Sequence, residues 1–558
     1  MYSSEDIRKK RDAFWQAKQH AEATPASLVA ASEDKTVLFN IAGMQPIVPY
    51  LSWKPHPDWT RLYNIQRCIR TNDIDEVWDN THCTFFEMMG NRSLWDYFKK
   101  ESLTRTIEFL TKELDIPLSR LGGTIFWWFD DKKAPIPFDQ EAKDILIWLW
   151  IPEDKIQSVP MYAWQKCDNF WWPAGPIWPC GPCCEIYYDK WDEYGIDDRD
   201  YVGNDARYVE IRNNVFMSMY KDKDWSLSPL EQKNIDTGMW FERLMTFLQH
   251  VPSVYETDLF APLLQTVQTL TWVQYPLFTN TPQLDTQQQN VVRSFRIVVE
   301  HARSVTFLLA DWVIPSNEWR GYVLRRLMRR MRYHLTKLYT DTNFDKKNIQ
   351  HIVQTLFGAV IAKYSVSYDH LLPNQKNIFH MSSKEIIQFE STLQKGSSIL
   401  DWLLQSMKTW TTLDGKTAFT LYDTYWFPFD LTRDISLARG FAVDEEWFEK
   451  ALEHAKKQSK AASATMFHKD IDRASYLTWI APTTFVWYTS DSFENMKILK
   501  DFVVDDVRVL VFDTTPFYAE SGWQVADQWY VFDDEWNKLF VSHVKKYDGV
   551  YLHFVESE

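Results

Sequence analysis

From residue 1 to about 250 the hydrophobic pattern switches between two periods. Short aromatic or β-branched runs, TIFWWF at 124–129, EIYYD at 185–189 and YVEIRNNVFMSMY at 208–220, read as strands. Helical stretches such as SLWDYFKKESLTRTIEFLTKEL (93–114) stand among them without regular crossover spacing, which predicts α+β architecture. Residues 251 to about 455 are mostly helical in period, as in NVVRSFRIVVEHARSVTFLLADW (290–312) and GYVLRRLMRRMRYHLTKLY (321–339). EKALEHAKKQSKAASA (449–464) reads as a helix end running into a linker. Beyond it TTFVWYTS, VRVLVFDTTPFY, WYVFDDEW and KLFVSHV turn to strand texture, with no closing element before Glu558. Three domains are expected: 1–250, 251–460, and a partial β-rich one at 465–558.

Composition narrows the class. Of 558 residues 45% are hydrophobic and 25% charged, as in an ordinary soluble protein. No run of about 18 apolar residues predicts a membrane span. The opening MYSSEDIRKKRDAFW has no apolar signal region, and six cysteines make no disulfide framework, so a cytoplasmic setting is expected. A net charge of −15 argues against a general nucleic-acid binder but leaves room for a local basic stripe. One ratio is abnormal: 28 Trp against 16 Gly. Glycine is under half its usual share of about 7%, so turns needing positive φ are poorly served.

Four segments carry candidate chemistry. In CIRTNDIDEVWDNTHCTFFEMMGNRSLWDYFKK (68–100), two strands joined by an acidic loop can present Arg70 to a phosphate while Phe85 or Phe86 stacks on a base. Alone, it reads first as a solvated hairpin with a surface arginine. NIDTGMWFERL (234–244) offers Asp236 for an amino group, Gly238 for a small pocket and Arg243 at helical spacing. In isolation it reads as a helix start capped by Asp236 and Thr237. In DNFWWPAGPIWPCGPCCEIYYDKW (168–191), Cys180 and Cys183 form a lone CxxC, so buried thiols in a tight turn are favoured over zinc. In PSNEWRGYVLRRLMRRMRYH (315–334), Arg325, Arg326, Arg329 and Arg330 share one helix face. A solvated basic face is the default reading, but on so acidic a chain six arginines in 320–332 favour a nucleic-acid backbone.

In this order, together with IAGMQPIVPYLSWKPHP (41–57), LYDTYWFPFDLT (421–432) and TPFYAESGWQVADQW (515–529), the segments resemble the alanyl-tRNA synthetases, a class II family. The resemblance runs along essentially the whole chain. It implies a catalytic antiparallel sheet flanked by helices, then a helical tRNA-recognition domain, then the start of a β-barrel-like domain that precedes an editing site. The implied reaction joins alanine and ATP into alanyl-adenylate, then transfers alanine to the 3′ end of tRNA(Ala). Arg70 would contact the α-phosphate and Arg243 the far phosphates, with Phe86 and Glu87 on the ATP side. Asp236, assisted by Asn213, would hold the alanine ammonium, and Trp171, Val215 and Gly238 would wall the methyl pocket. Asn317 and Asp423 would read the acceptor-stem G·U pair, and Arg325, Arg326, Arg329 and Arg330 would hold tRNA phosphates. ATP and Mg2+ are the implied cofactors. No metal-ligating residue is expected here, because the HxxxH and Cys/His zinc ligands of the editing region do not occur. The expected partners are tRNA(Ala), alanine and ATP, with no membrane, and a monomer. The alternative is a degenerate synthetase-like protein that binds tRNA or adenylate without catalysis.

Departures from the family run one way. Trp stands at family-glycine positions 53, 59, 78, 95, 150, 172, 178, 191, 240, 312, 319, 426, 487, 523 and 529, and more weakly at 272, 447 and 479. Reassigning these eighteen moves glycine from 16 to 34 and Trp from 28 to 10. Trp (UGG) and Gly (GGN) are linked through UGA, so a UGA codon read as glycine but written as Trp would give this bias. An indole forced into a glycine site costs about 1–3 kcal/mol, and Trp240 is expected to intrude beside the alanine and ATP pockets.

Overall fold

The computed structural model describes residues 2–31, 37–52, 54–127, 136–161, 167–172, 178–190, 195–204, 206–224, 226–276, 284–316, 319–339, 346–407, 411–425, 427–452, 483–486, 496–504, 507–517, 529–532, 538–547 and 550–556. They form two compact units, Met1–Pro315 with Val323–Glu390, and Ser316–Tyr322 with Ser391–Glu558.

The first unit is built on a nine-stranded sheet. Its strands are β1 (Ala21–Glu22), β2 (Arg61–Ile69), β3 (Phe85–Leu94), β4 (Leu121–Phe126), β5 (Ile156–Val159), β6 (Phe170–Trp171), β7 (Trp178–Asp189), β8 (Tyr208–Lys221) and β9 (Leu227–Trp240). The order is β1-β2-β3-β9-β8-β7-β4-β5, with β6 added to β7. Pairing is antiparallel except at β1–β2 and β4–β5. The expected hairpin around 68–100 is β2–β3, with Cys68 opposite Phe86. By contrast, Asp236 and Thr237 do not cap a helix. They lie in β9, and the next helix starts at Phe241. The Cys180–Cys183 pair likewise lies in β7 rather than a turn. All six cysteines are free and buried, and burial pushes Cys180 up to about 12.

Helices cover one face of the sheet. They include α1 (Ser4–Ala17), α2 (Val48–Ser52), α3 (Lys99–Glu108), α4 (Gln140–Trp148), α5 (Phe241–Leu248), α6 (Ala261–Thr271), α7 (Thr286–Ala310) and α9 (Lys346–Tyr364), of which α2 belongs to a small second core on the other face with Leu62, Cys183 and Val215, while α8 (Trp319–Leu338) and α10 (Gln375–Ser406) are each divided between the two units. Capping boxes start α1 at Ser3/Asp6 and α7 at Asp285/Gln288. From Ser294 to Ala310 every residue of α7 is buried, and Phe307 stacks on Phe85 of β3 at 4.3 Å. Helices α5, α6, α7 and α9 lie in the unit that holds the sheet, whereas α8 is divided, with Trp319–Tyr322 in the second unit.

Buried charges fasten the helical face. Arg8 of α1 and the Tyr368 hydroxyl both reach Glu87 of β3, and Arg303 of α7 pairs with Glu242 of α5 at 2.8 Å. Burial works to raise the Glu87 pKa, but Arg8 and Tyr368 outweigh it and hold the carboxylate ionised.

The second unit carries α11 (Gly415–Asp423) and α12 (Phe429–Ala438) beside the parallel pair β10 (Thr412–Leu413) and β11 (Ala442–Val443). Its β part adds β12 (Thr484–Phe485), β13 (Ile498–Val504), β14 (Val507–Phe512), β15 (Thr514–Thr515), β16 (Trp529–Phe532), β17 (Lys538–Tyr547) and β18 (Val550–Glu556). Five of these form an antiparallel sheet in the order β13-β14-β18-β17-β16, over a core of Leu510, Phe512, Val541, Val544 and Val555. The expected 449–464 linker lies outside the described residues beyond 452. Among the described residues no helix is long and apolar enough to cross a membrane.

Candidate active site

Strand register assembles the site. Side chains two residues apart on a strand share a face, as do directly paired residues. Asn213 of β8 is opposite Gly238 of β9, and Val215 is opposite Asp236. Across the next pairing Arg92 of β3 is opposite Asp236, and Met88 is opposite Trp240. Glu185 of β7 is opposite Asn213. All of these, with Phe86, lie on the sheet face opposite the one covered by α1 and α7. Trp171 packs beside Val215 and Cys183. At Gly238 an added Cβ would meet Met88 Sδ at 2.7 Å, so a side chain there requires Met88 to move.

One end of this face is built for a cation. Arg92 is fully buried and donates from Nε to Asp236 Oδ1 at 2.9 Å; its other nitrogens reach Asn64 Oδ1 and the Gly43 carbonyl. Burial pushes the Asp236 carboxyl up to about 6, against the pull of Arg92. Asn213 donates to Glu185 Oε1 at 3.0 Å, which leaves its own buried Oδ1 without a hydrogen-bond donor. Burial, and then the charge of Glu210, push Glu185 well above the usual carboxylate range.

The other end is built for an anion and a flat ring. Arg70 follows β2, where its Nε donates to the Ile41 carbonyl at 3.1 Å and no carboxylate among the described residues pairs with it. Arg243, in the first turn of α5, lies 3.6 Å from Glu210, and its buried Nε has no acceptor. Between them Phe86 and Trp240 stack at 3.9 Å with planes 10° apart, and the Arg243 guanidinium lies 4.1 Å over the same indole. Trp240 therefore fills a slot walled by a phenyl ring and a guanidinium.

The family model for tRNA synthetases class II (A) matches residues 6–558. The chain belongs to this family. An alanine–tRNA ligase from Fusobacterium nucleatum is 35% identical over 566 residues, covering 100% of this chain and 61% of that one. One from Petrotoga mobilis is 34% identical over 564 residues, covering 98% and 60%. One from Treponema denticola is 39% identical over 471 residues, covering 83% and 74%. The chain thus spans about three-fifths of the length of the first two relatives.

In this class II synthetase the fold gathers Arg70, Phe86, Trp171, Asn213, Val215, Asp236, Gly238 and Arg243 around one face. Glu87 is not with them. As the neighbour of Phe86 it points through the opposite face of β3, where Arg8 holds it. Nor do the four arginines of α8 form a free basic stripe. Arg325 and Arg329 pair with Glu385 at 2.9 and 3.3 Å, Arg326 pairs with Asp75 at 3.0 Å, and buried Arg330 donates to the Ile74 carbonyl. They fasten α8 to its own unit. Asn317 lies outside the described residues, and Asp423 is the last residue of α11. Sequence reasoning missed Arg92 and Glu185. The available signal was a charged residue in strand phase with Phe86 and Met88, and an acid directly after the paired cysteines.

Proposed function

We propose that this chain is the aminoacylating part of an alanine–tRNA ligase. The observation that carries the reading is the polarity of one sheet face. Acceptors (Asp236, and Asn213 with its free Oδ1) surround a pocket without room for a long side chain, while Arg70, which meets no carboxylate among the described residues, and Arg243, whose buried Nε has no acceptor, flank a flat slot. An α-amino acid with a methyl side chain fits the first, and a purine nucleoside triphosphate the second.

The alanine carboxylate attacks the α-phosphorus, an oxygen–phosphorus bond forms, and pyrophosphate departs as the bond to the β-phosphate breaks. A tRNA ribose hydroxyl then attacks the acyl carbon, and AMP leaves. No protein nucleophile takes part; Asp236 and Asn213 orient the amine, Arg70 takes the charge growing on the α-phosphate, and Arg243 holds the leaving end. Magnesium, when bound, would neutralise the triphosphate; no group of three or more His, Cys, Asp or Glu among the described residues could hold the ion, so the phosphates themselves would carry it. Asn317 and Asp423 are our candidates for reading the acceptor-stem G·U pair.

Alanine-dependent exchange of pyrophosphate into ATP, followed by charging of tRNA(Ala), tests this reading. Tight tRNA binding with no exchange, in forms carrying either Trp or Gly at position 240, would replace it with a non-catalytic binder.

A further inference from the structure

Among the described residues, nine non-glycine residues have φ in the left-handed region: Gln19, Trp95, Asp115, Trp150, Arg199, His250, Trp272, Trp312 and Trp319. Tryptophan is 28 of 558 residues, yet it holds five of these nine places. Asn, Asp and Gly tolerate this conformation; a bulky aromatic is a true outlier there.

Local hydrogen bonding places three of these tryptophans at helix-closing positions, where glycine is most enriched, although Gln19 after α1 and His250 after α5 close their helices with the same two bonds. After α4, Trp150 donates to the Ile147 carbonyl and Ile151 to Leu146; after α7, Trp312 donates to Leu309 and Val313 to Leu308. Both are helix ends closed by a residue at φ 67 and 62, the place where glycine is most enriched. After α6, Trp272 makes the one-bond version, donating to the Gln268 carbonyl at φ 59. After α12 the same two-bond closure is made by a glycine, Gly440, at φ 81. The indoles at 150, 272 and 312 are 81%, 90% and 68% exposed, so no packing compensates the backbone.

Position 240 points the same way for a different reason. Its backbone is ordinary, but its indole occupies the space between Phe86 and Arg243.

We infer that the working protein carries glycine, not tryptophan, at positions 95, 150, 240, 272, 312 and 319, through a UGA codon read as glycine. The backbone argument at five sites is independent of function; the argument at 240 rests on the proposed nucleotide reading. Glycine at 240 empties the slot, and glycine at the other five removes left-handed tryptophans from turns and helix ends.

The coding DNA and peptide mass spectrometry of the protein isolated from its own cells test this together. We expect TGA at the six codons and glycine in the six peptides. Trp15, which is 2% exposed and packed on Phe14 and His20, should be encoded by TGG and remain tryptophan. TGG, or tryptophan in the peptide, at any of the six overturns the inference, whatever the protein catalyses. Recombinant chains with glycine or tryptophan at position 240 separate this from the functional reading. ATP binding by equilibrium dialysis should be at least tenfold tighter in the glycine form. Glycine in the native peptides with no ATP binding would refute the nucleotide site and leave the codon assignment standing.

Discussion

The three helix ends closed by Trp150, Trp272 and Trp312 allow a quantitative test of backbone strain. A side chain in the left-handed helical region costs roughly 1–2 kcal/mol relative to its ordinary conformation. Glycine returns about 0.5–1 kcal/mol of that through its greater freedom in the unfolded chain. Burial changes little, since all three indoles are mostly exposed. Each Trp→Gly change should therefore stabilise by about 0.5–1 kcal/mol. The sites end separate helices, so the W150G/W272G/W312G triple should gain about 2 kcal/mol by simple addition. With an unfolding entropy of about 2.1 cal/mol/K per residue, a unit of this size should melt about 2–3 °C higher by far-UV circular dichroism. Gly440→Trp is the converse, because its φ of 81 closes α12 in the same way, and the second unit should lose comparable stability. An unchanged or lower melting midpoint for the triple, or a neutral Gly440→Trp, would refute the strain argument.

Other consequences follow from the site. Burial raises the Asp236 carboxyl to about 6, so the folded chain holds that proton more tightly than the unfolded one. This group's contribution to stability is present below about pH 4 and is lost as pH rises through 6. Amino-acid binding runs the opposite way: the KM for alanine should rise about tenfold per unit as pH falls below 6, measured by pyrophosphate exchange. Arg92→Met leaves Asp236 buried without its cation and should cost about 3 kcal/mol or more at pH 7, read as a lower urea midpoint. Gly238→Ala pushes a methyl toward Met88 and should raise the KM for alanine roughly tenfold while leaving the KM for ATP unchanged. Arg326→Gln with Arg329→Gln should leave the salt dependence of tRNA binding unchanged, since both side chains already pair with Asp75 and Glu385; a shallower slope would restore them to the RNA surface.

Much of the nine-stranded sheet was legible because its signals are local. The β2–β3 hairpin shows in alternating aromatic positions around an acidic loop, and β8 in YVEIRNNVFMSMY. Segment 234–244 was ambiguous because Asp-Thr-Gly suits a helix cap as well as a strand end; only pairing with β3 and β8 decides for the strand. The partners of the α8 arginines were not legible because they are distant in sequence. Arg329 meets Glu385 56 residues later, and Arg326 meets Asp75 251 residues earlier. Arg92 escaped notice for the same reason, since its meaning depends on Asp236, 144 residues away. The excess of tryptophan was visible in the composition, but which of these residues strain the backbone became visible only in the dihedral angles.

The bridge from α1 through Glu87 to Tyr368 also has a consequence for how the chain is made. Glu87 and Tyr368 are 281 residues apart, and Glu5 of α1 accepts a hydrogen bond from Ser367 across 362. At translation rates of about 5–20 residues per second, tens of seconds pass between the emergence of Glu87 and that of its last partner. During that interval the first helix and the finished β2–β3 hairpin hold a carboxylate whose native enclosure is incomplete. The amino-terminal half of the sheet is thus a waiting template, closed only when the chain returns from its helices, and a ribosome stalled before residue 368 would display that half to chaperones and proteases.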